Sequence, residues 1–477
     1  MRRGPMEDGS PMAMKRRETE RQAELWVATD RIVTAPGHPF YKELNGMLAK
    51  AGFDRFVEDG CQQFYHEVLG RPSIPPGVYF RMLFIGYFEG LDSEREIAWR
   101  CGDSLALRGF LGYDLTKATP DHSSLSRIRQ RIDLETHEAV FTWVLKRLAE
   151  EGLLKGQTIG IDATTLEANA AMRSIVRRDT KEDYGTFLEG LAKASGIETP
   201  AKADLAKLDR KRKKKVSNKD WEHPHDPDAK IAKMKDGRTH MAHKAEHAVD
   251  LDTGAIVAVT LQEADQGDTT TIYETAKEAS EQLREVAEDE TAGEALADGF
   301  FEEVVADKGY HSNETTRDFA EMEVRTYISE PDRGRRNWKG KAEERAAVYG
   351  NRRRIRGKRG KALMRKRGEL LERPFAHCYD TGGMRRTHLK GHPKIRKRLL
   401  IHVAGFNLAL VMRSLLGAGT PRGLRDLSAA LLSPLHALLL VHYGASAVIG
   451  RLQKALAARL RPSAPAPCPA RELLAAA

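Results

Sequence analysis

Two short apolar segments of this chain each carry an aspartate, and the pair constrains the fold more than any other feature. The first segment is Thr158–Thr165, in which Asp162 follows an apolar run with β-branched residues, and the second is Val304–Tyr310, which carries Asp307. Such runs predict buried β-strands, each with an acid at its end. One such aspartate is equally well explained as a turn or capping residue, whereas two behind similar strands favour a shared site.

The periodicity after residue 157 predicts an alternation of strands and helices. Strands are predicted at 157–168, 243–251, 255–261, 304–307 and 324–328, and helices at 270–288 and 313–322. Asp252-Thr253-Gly254 predicts a hairpin turn between the second and third strands. The order strand, strand, strand, helix, strand, helix, strand is typical of an α/β RNase H-like core. In such a core the strands of Asp162 and Asp307 lie side by side.

The part of the chain before this core predicts helices alone. Val78–Phe88 is apolar on most faces, which predicts the central helix of a small bundle. Arg127, Arg129 and Arg131 are predicted on one exposed side of a later helix. Residues 40–150 are therefore predicted to form an all-helical domain that either reads DNA or mediates oligomerisation, and the residues leave both readings open.

The charge is basic and unevenly placed. The 477 residues carry a net charge of +10. Arg210–Lys215 is six consecutive basic residues, Arg352–Arg367 holds ten Lys or Arg in sixteen positions, and Arg385–Arg398 holds seven more. A charge run is often only a solvated face, but two of these runs lie among residues that can pack. They predict a nucleic-acid binder, because clustered cations neutralise phosphates.

Other features bound the cellular context. The four cysteines form no C-x-x-C pair, which argues against a zinc site or a disulfide framework and favours a reducing cytosol. The first residues have no apolar run, so no secretory signal is predicted. Leu427–Gly450 lacks charge and is long enough to span a bilayer, but Pro434 lies inside it, and a buried helix pair is predicted instead.

Two strand-held carboxylates in a basic chain predict a divalent-metal site that acts on phosphodiesters. Such chemistry uses two ions about 4 Å apart, one for the attacking oxygen and one for the leaving oxygen. A third acid usually completes the set, and the acids between Arg352 and Arg398 are Glu369, Glu372 and Asp380. Each of these is also explained by charge balance with a residue one helical turn away.

Several blocks of the chain resemble bacterial insertion-sequence DDE transposases, most closely the insertion-sequence 5 and 1182 groups. The blocks are Gly160–Asn169, Ala306–Tyr310, Leu371–His377 and Gly382–Arg386, with Asn407 after them. Residues 40–135, including Pro120-Asp121-His122-Ser123, resemble the helical N-terminal domain of that family. The resemblance covers most of residues 40–415.

The resemblance implies which residues carry the activity. Asp162, Asp307 and Glu372 would be the catalytic triad and would bind Mg²⁺ or Mn²⁺, as two ions. The residues that would contact DNA are Lys308, Tyr310, Trp338, Arg373, Arg385 and Arg386. Of these, Trp338 would stack on a base, with a purely structural tryptophan as the alternative.

The chain departs from the family pattern near the third acid. Many relatives carry Y-x2-R-x3-E-x6-K, and with Glu372 as the acid those slots hold Arg365, Gly368 and Tyr379. With Glu369 as the acid, Arg365 fits the arginine slot and the other two slots remain unmatched. Glu372 is the predicted third acid, and Glu369 is the alternative.

The predicted organisation follows. Residues 1–39 form a tail, 40–150 the helical domain, 151–415 the RNase H-like catalytic domain with a basic insertion at about 172–240, and 416–477 a helical C-terminal region.

The predicted function is a transposase that binds terminal inverted repeats and cuts and joins DNA. An inactive DNA-binding derivative and a nuclease that does not join are the alternatives. The predicted partners are double-stranded DNA, at the ends and the target, and further copies of the chain in a synaptic complex. No membrane partner is expected, and the predicted location is the bacterial cytoplasm, at the nucleoid when DNA is bound.

Overall fold

A computed structural model of the protein describes residues 28, 37–66, 73–211, 216–234, 237–296, 300–332, 334 and 336–426. The predicted helix pair at Leu427–Gly450 lies outside these residues. So do most of the predicted N-terminal tail and four of the six basic residues of Arg210–Lys215.

The first part of the described chain is a helical bundle, as predicted. Its helices are α1 (Pro39–Lys50), α2 (Phe53–Cys61), α3 (Pro76–Glu89), α4 (Glu94–Asp103), α5 (Leu105–Phe110), α6 (His122–Arg131) and α7 (Leu134–Glu150). The side chains of Ser93, Asp121 and Asp133 cap α4, α6 and α7 by accepting a backbone N–H three residues on. The central position predicted for Val78–Phe88 is confirmed, since α3 is buried along almost its whole length.

One prediction about the bundle was wrong. Arg127 and Arg131 are exposed on α6, but Arg129 is only 6% exposed and forms an ion pair with Glu94. At 3.6 residues per turn Arg129 lies one turn after Leu125, which faces the core, so its helical position turns it inward. The three arginines therefore do not share an exposed face.

The second part of the chain contains a mixed sheet. Its strands are β1 (Thr158–Glu167), β4 (Lys230–Lys233), β5 (Thr239–Asp250), β6 (Ile256–Glu263), β7 (Glu303–Ala306) and β8 (Arg325–Ile328). The strand order is β4-β5-β1-β7-β8, with β6 also paired to β5. The pairs formed by β5 are antiparallel, whereas β1–β7 and β7–β8 are parallel. This arrangement and the predicted order of elements agree with an α/β RNase H-like core.

Helices cover and connect the strands. They are α8 (Tyr184–Ala194), α9 (Lys202–Lys211), α10 (Asp268–Ala287), α11 (Asn313–Glu321), α12 (Ala342–Arg356), α13 (Lys358–Phe375) and α14 (His392–Leu416). The predicted insertion at about 172–240 contains α8, α9 and β4. It also contains the short antiparallel pair β2 (Val176–Arg177) and β3 (Trp221–Glu222). Its described residues have a small apolar core of their own around Trp221 and Ile175.

Helix α14 joins the bundle to the sheet. It packs against α7 and α3 on the bundle side and against β6 on the sheet side. Together with the turn after it, the stretch His392–Asp426 is long and apolar enough to cross a membrane, the one such stretch among the described residues. However, 72% of its most apolar window is buried inside the protein, as in a core helix.

Two buried asparagines bind the outer strands of the sheet from neighbouring helices. Asn407 on α14 accepts the backbone N–H of Ile256 at 3.0 Å and donates to the carbonyl of the same residue at 2.8 Å. Asn351 on α12 makes the same two bonds, at 3.0 and 2.8 Å, with Ile328. Each amide therefore satisfies both backbone groups of one residue on an outer strand, where an adjacent strand would otherwise be needed.

The bundle and α14 contain buried histidines that make stability depend on pH. His402 on α14 is 1% exposed, its Nε2 lies 2.7 Å from the carbonyl oxygen of Cys378, and burial lowers its pKa to about 3. Burial likewise lowers the pKa of His137 to about 4. The unfolded chain, in which histidine has a pKa of about 6.5, takes up protons that these folded sites do not. Their stabilisation is complete above that pH and is lost as the pH falls below it.

We therefore expect the free energy of unfolding to fall at low pH, with each buried histidine adding to the loss. Between pH 7 and pH 5 each histidine should cost about 2 kcal/mol of the free energy of unfolding. Urea denaturation of the His402→Gln protein should show a loss smaller by about that amount than the wild type. His122→Gln is the matched control, because His122 is exposed. An identical pH dependence in wild type and His402→Gln would contradict this account.

Candidate active site

The sheet places Asp162 and Asp307 next to each other. Ile161 of β1 pairs with Ala306 of β7 in parallel register, and the two aspartates are the next residues on each strand. Asp307 follows the end of β7 and accepts the backbone N–H of Gly309 at 2.7 Å. Asp162 lies in the middle of β1, opposite His247 of β5, so its predicted position at a strand end was wrong. The acid instead lies where the neighbouring strand β7 stops.

The carboxylate of Asp162 is held between opposing influences. Its Oδ1 accepts the backbone N–H of Ala163 at 2.9 Å, and its Oδ2 lies 3.1 Å from Nη1 of Arg367 on α13. Burial raises the pKa of Asp162 above its ordinary value, and the carboxylates of Asp307 and Asp268 raise it further. The Ala163 N–H and Arg367 act in the opposite direction. A cation that approaches Asp162 therefore stabilises the charged form of its carboxylate.

A third carboxylate, that of Asp268, lies beside the pair. Asp268 is the first residue of α10, and its Oδ1 lies 2.6 Å from Nζ of Lys244. A Cβ atom placed on Gly309 would lie 2.6 Å from Oδ2 of Asp268 and 3.0 Å from Oδ1 of Asp307. The missing side chain of Gly309 thus leaves a small cradle with a carboxylate oxygen on each of two sides.

A buried polar network supports these acids from inside. Glu246 on β5 is fully buried and accepts hydrogen bonds from the hydroxyls of Tyr310, at 2.8 Å, and Thr271, at 2.9 Å. Lys244 lies 3.6 Å from Glu246 and donates to Thr271 at 2.8 Å. Tyr310 is only 1% exposed. Tyr310 therefore helps to support the acids, and its predicted contact with DNA stays a prediction.

The predicted third acid, Glu372, does not share the face of α13 that meets β1. That face carries Arg367 at Asp162 and Leu371, which packs at Gly160. Glu372 is exposed and about 100° further around the helix. Glu369 is also exposed and pairs with Arg373 at 2.8 Å, four residues along. The charge-balance explanation thus describes Glu369, and the role of Glu372 stays a prediction.

The other predicted DNA contacts occupy different environments. Arg385 is held against β1 and donates to Oγ1 of Thr164 at 3.0 Å. Arg386 is exposed, with its Nε 3.8 Å from Oε1 of Glu167.

Lys308 is exposed immediately after Asp307. Arg373 is exposed on α13. Trp338 is half-buried against the ring of Tyr349.

The residues suit a divalent cation although their acids are engaged. Among the described residues, no three His, Cys, Asp or Glu side chains are arranged to hold a metal ion. Instead, the guanidinium of Arg367 and the ammonium of Lys244 lie against Asp162 and Asp268, where they stand in for a cation. Carboxylate oxygens are the ligands that Mg²⁺ and Mn²⁺ prefer. The donor set and the cradle at Gly309 therefore fit such an ion.

Sequence reasoning missed four residues of this site, namely Lys244, Glu246, Asp268 and Arg367. Lys244 and Glu246 gave a weak signal, because they are charged residues at alternate positions of a strand predicted to be buried. Asp268 gave no distinct signal, since an acid in the first turn of a helix is common. Arg367 was hidden in a long basic run.

Comparison with known proteins supports the sequence reasoning. A family model described as a transposase domain (DUF772) matches residues 28–131, which include α1 to α6. A family model described as a transposase DDE domain matches residues 218–408, which include Asp307 and Glu372 and begin after Asp162. No curated protein and no solved structure matches the chain.

Proposed function

Since the chain belongs to the insertion-sequence DDE transposases, we propose that it binds the terminal inverted repeats of its element, cleaves the DNA there and joins the freed ends to target DNA. The observation that carries the proposal is the placement of Asp162 beside Asp307 at the centre of the sheet. A basic chain with paired carboxylates on two inner strands suits phosphodiester chemistry. The fold alone would not decide this, because one fold hosts many activities.

The chemistry proposed is direct displacement at phosphorus. In cleavage, the oxygen of water attacks a phosphorus atom, the bond to the 3′-oxygen breaks, and that oxygen leaves with a proton as a 3′-hydroxyl. In joining, the 3′-hydroxyl oxygen attacks a phosphorus atom of the target strand, and a target 3′-oxygen leaves. No covalent bond to the protein is needed in either step.

The chain's own residues divide this work. Asp162, Asp307 and, by the family pattern, Glu372 would hold Mg²⁺ or Mn²⁺, as two ions. When bound, such ions make water a better nucleophile and neutralise charge that develops on the phosphate. Asp162 is fixed in β1 and Asp307 by its bond from Gly309, so both acids are oriented before a substrate arrives.

Exposed cations provide two surfaces for DNA. Helices α12 and α13 carry an exposed set consisting of Arg353, Arg356, Lys358, Lys361 and Arg365. On another side, β1 leads into a cleft of about 840 Å³. Arg173, Arg386 and Lys390 are among its lining residues. We propose that DNA phosphates contact these two surfaces, together with Lys308, Arg373 and Arg385. We also propose that Trp338, whose ring contacts that of Tyr349, stacks on a DNA base.

The assembly and location follow from the same proposal. Two ends must be held together before joining, so we propose that copies of the chain associate in the DNA complex. The helical bundle would supply either DNA contacts or contacts between copies. Such a protein would work in the bacterial cytoplasm, at the nucleoid when bound to DNA, and would need no membrane partner.

The test follows cleavage and joining on one labelled end substrate. We expect wild-type protein with Mg²⁺ or Mn²⁺ to produce both cut ends and joined products, and chelation of the metal to abolish both. Cutting without joining would indicate a nuclease. End binding without cutting would indicate an inactive DNA-binding derivative, which the ion pair between Arg367 and Asp162 would favour.

A further inference from the structure

The neighbourhood of Asp162 and Asp307 holds a carboxylate that the family pattern does not assign. Asp268 lies at the start of α10, directly after the loop that follows β6. Its side chain is 40% exposed, whereas the side chain of Lys244, its partner, is 6% exposed. The acid therefore faces the open side of the site while the cation that holds it lies inside.

We propose that Asp268 is a further metal-binding carboxylate of this active centre, which acts together with Asp162 and Asp307. This inference rests on the proposed metal-dependent function. Its geometric basis is the cradle at Gly309, which is bounded by Oδ2 of Asp268 at 2.6 Å and Oδ1 of Asp307 at 3.0 Å from the position of a Cβ atom. Both oxygens thus approach the same point beside Gly309, so closely that a methyl group there would collide with Oδ2 of Asp268.

The electrostatic contacts agree with this placement. The negative charge of Asp268 is among the causes that raise the pKa of Asp162 and the pKa of Tyr310. Asp268 and Asp162 are each paired with a cation, which is Lys244 for Asp268 and Arg367 for Asp162. Bringing like charges together is unfavourable unless a cation compensates them.

Lys244 gives Asp268 a fixed orientation before any metal arrives. Its Nζ is 2.6 Å from Oδ1 of Asp268 and also donates to Oγ1 of Thr271 at 2.8 Å and to the carbonyl of Gln266 at 3.5 Å. The lysine is thus held by three partners at once. Oδ2 of Asp268, the oxygen at the Gly309 cradle, is left to meet an ion.

The acids of α13 make a poorer match in this arrangement. Glu369 is paired with Arg373, and Glu372 is exposed on a different face of α13 from Arg367. Asp268 needs no rotation of a helix to reach the space beside Asp307. Glu372 would then add to a set of three acids rather than complete a set of two.

The experiment measures metal binding to the full-length protein without DNA. Mn²⁺ is titrated and followed by electron paramagnetic resonance, with thermal unfolding recorded for each variant. We expect Asp268→Asn to weaken Mn²⁺ binding at least tenfold. Asp268→Ser, which keeps a polar side chain at the start of α10, should do the same. Asp265→Asn is the matched control. Asp265 is an exposed acid three residues earlier, in the loop before α10, and its substitution removes the same charge. Asp162→Asn is the reference variant.

The outcomes separate this inference from the proposed function. Weaker binding in both Asp268 variants and in Asp162→Asn, with the control unchanged, supports the inference. Wild-type binding in a folded Asp268 variant together with weak binding in Asp162→Asn overturns it and leaves the proposed function intact. Wild-type binding in Asp162→Asn as well overturns both.

Discussion

Replacing Asp162 or Asp307 with asparagine is expected to lower cleavage of end DNA by about a thousandfold or more, without loss of the fold. Asparagine keeps the shape of the side chain, and its amide oxygen can still accept the bonds from Ala163 or Gly309. It removes the negative charge that would hold a divalent ion and orient the reacting groups. The measurement is the initial rate of cleavage with Mg²⁺, with end binding followed in parallel.

The remaining acids provide the comparison for this result. Glu372→Gln should reduce cleavage strongly if it is the third acid of the family pattern, whereas Glu369→Gln should leave cleavage near wild type. The two residues lie on one helix and differ by three positions, so the pair controls for changes in α13 itself. Cleavage at the wild-type rate by folded Asp162→Asn protein would refute the proposed mechanism.

A fragment made of residues 151–426 alone is expected to lose cooperative folding. Helix α14 is buried on most of its surface, and α3 and α7 of the bundle cover one side of it. Removal of residues 37–150 would expose that side. Each fully buried aliphatic or aromatic side chain contributes about 1.5–3 kcal/mol. A few such losses are comparable with the total stability of about 5–15 kcal/mol that is typical of a folded protein.

Close contacts across the same boundary support this expectation. A Cβ atom on Gly405 would lie 2.9 Å from the ring of Tyr87, so α14 and α3 approach closely. Thr142 on α7 donates to Gln282 on α10 at 2.6 Å, which links the bundle to the helix that carries Asp268. The bundle is therefore part of the same core as the sheet.

Solubility and urea denaturation of the fragment test this prediction. The fragment should aggregate or unfold without a cooperative transition, and co-expression with residues 37–150 should restore soluble protein. The matched control is a chain shortened after residue 426, which keeps both halves. A soluble fragment with a single sharp unfolding transition would show that the sheet folds without the bundle.

The sequence predicted the central sheet because the signals for it are local. Alternating or continuous apolar runs mark strands, and a turn such as Asp252-Thr253-Gly254 marks a hairpin, here with Gly254 at a φ of 83°. Once the element order is known, few sheet arrangements remain. The neighbouring positions of Asp162 and Asp307 followed from that order.

The remaining features depend on partners that a linear pattern does not contain. Arg129 is buried because Glu94 of another helix neutralises it, and Tyr310 is buried because Glu246 accepts its hydroxyl. The helical pattern around Arg129 does not reveal Glu94 as its partner, and the strand pattern of Val304–Tyr310 does not reveal Glu246. The position of Asp162 in mid-strand depends on β5, which extends beyond the end of β7.

The charged runs were the least informative part of the sequence. Within Arg352–Arg367, some cations are held by acids of the sheet, as Arg367 is by Asp162 at 3.1 Å, while others, such as Arg356, are exposed. The two kinds have the same composition and differ only in their partners. Composition therefore predicted an affinity for phosphate without showing which cations are available for it.

The asparagine bonds on the outer strands also limit how copies of this protein can associate. At β8, Asn351 binds both backbone groups of Ile328, and Arg354 donates to the carbonyl of Thr326 at 2.9 Å. On the opposite side, Asn407 does the same for Ile256. A second chain cannot extend the sheet at these positions by strand addition. In the proposed DNA complex, copies of the chain would therefore have to meet through surfaces other than these positions of β6 and β8.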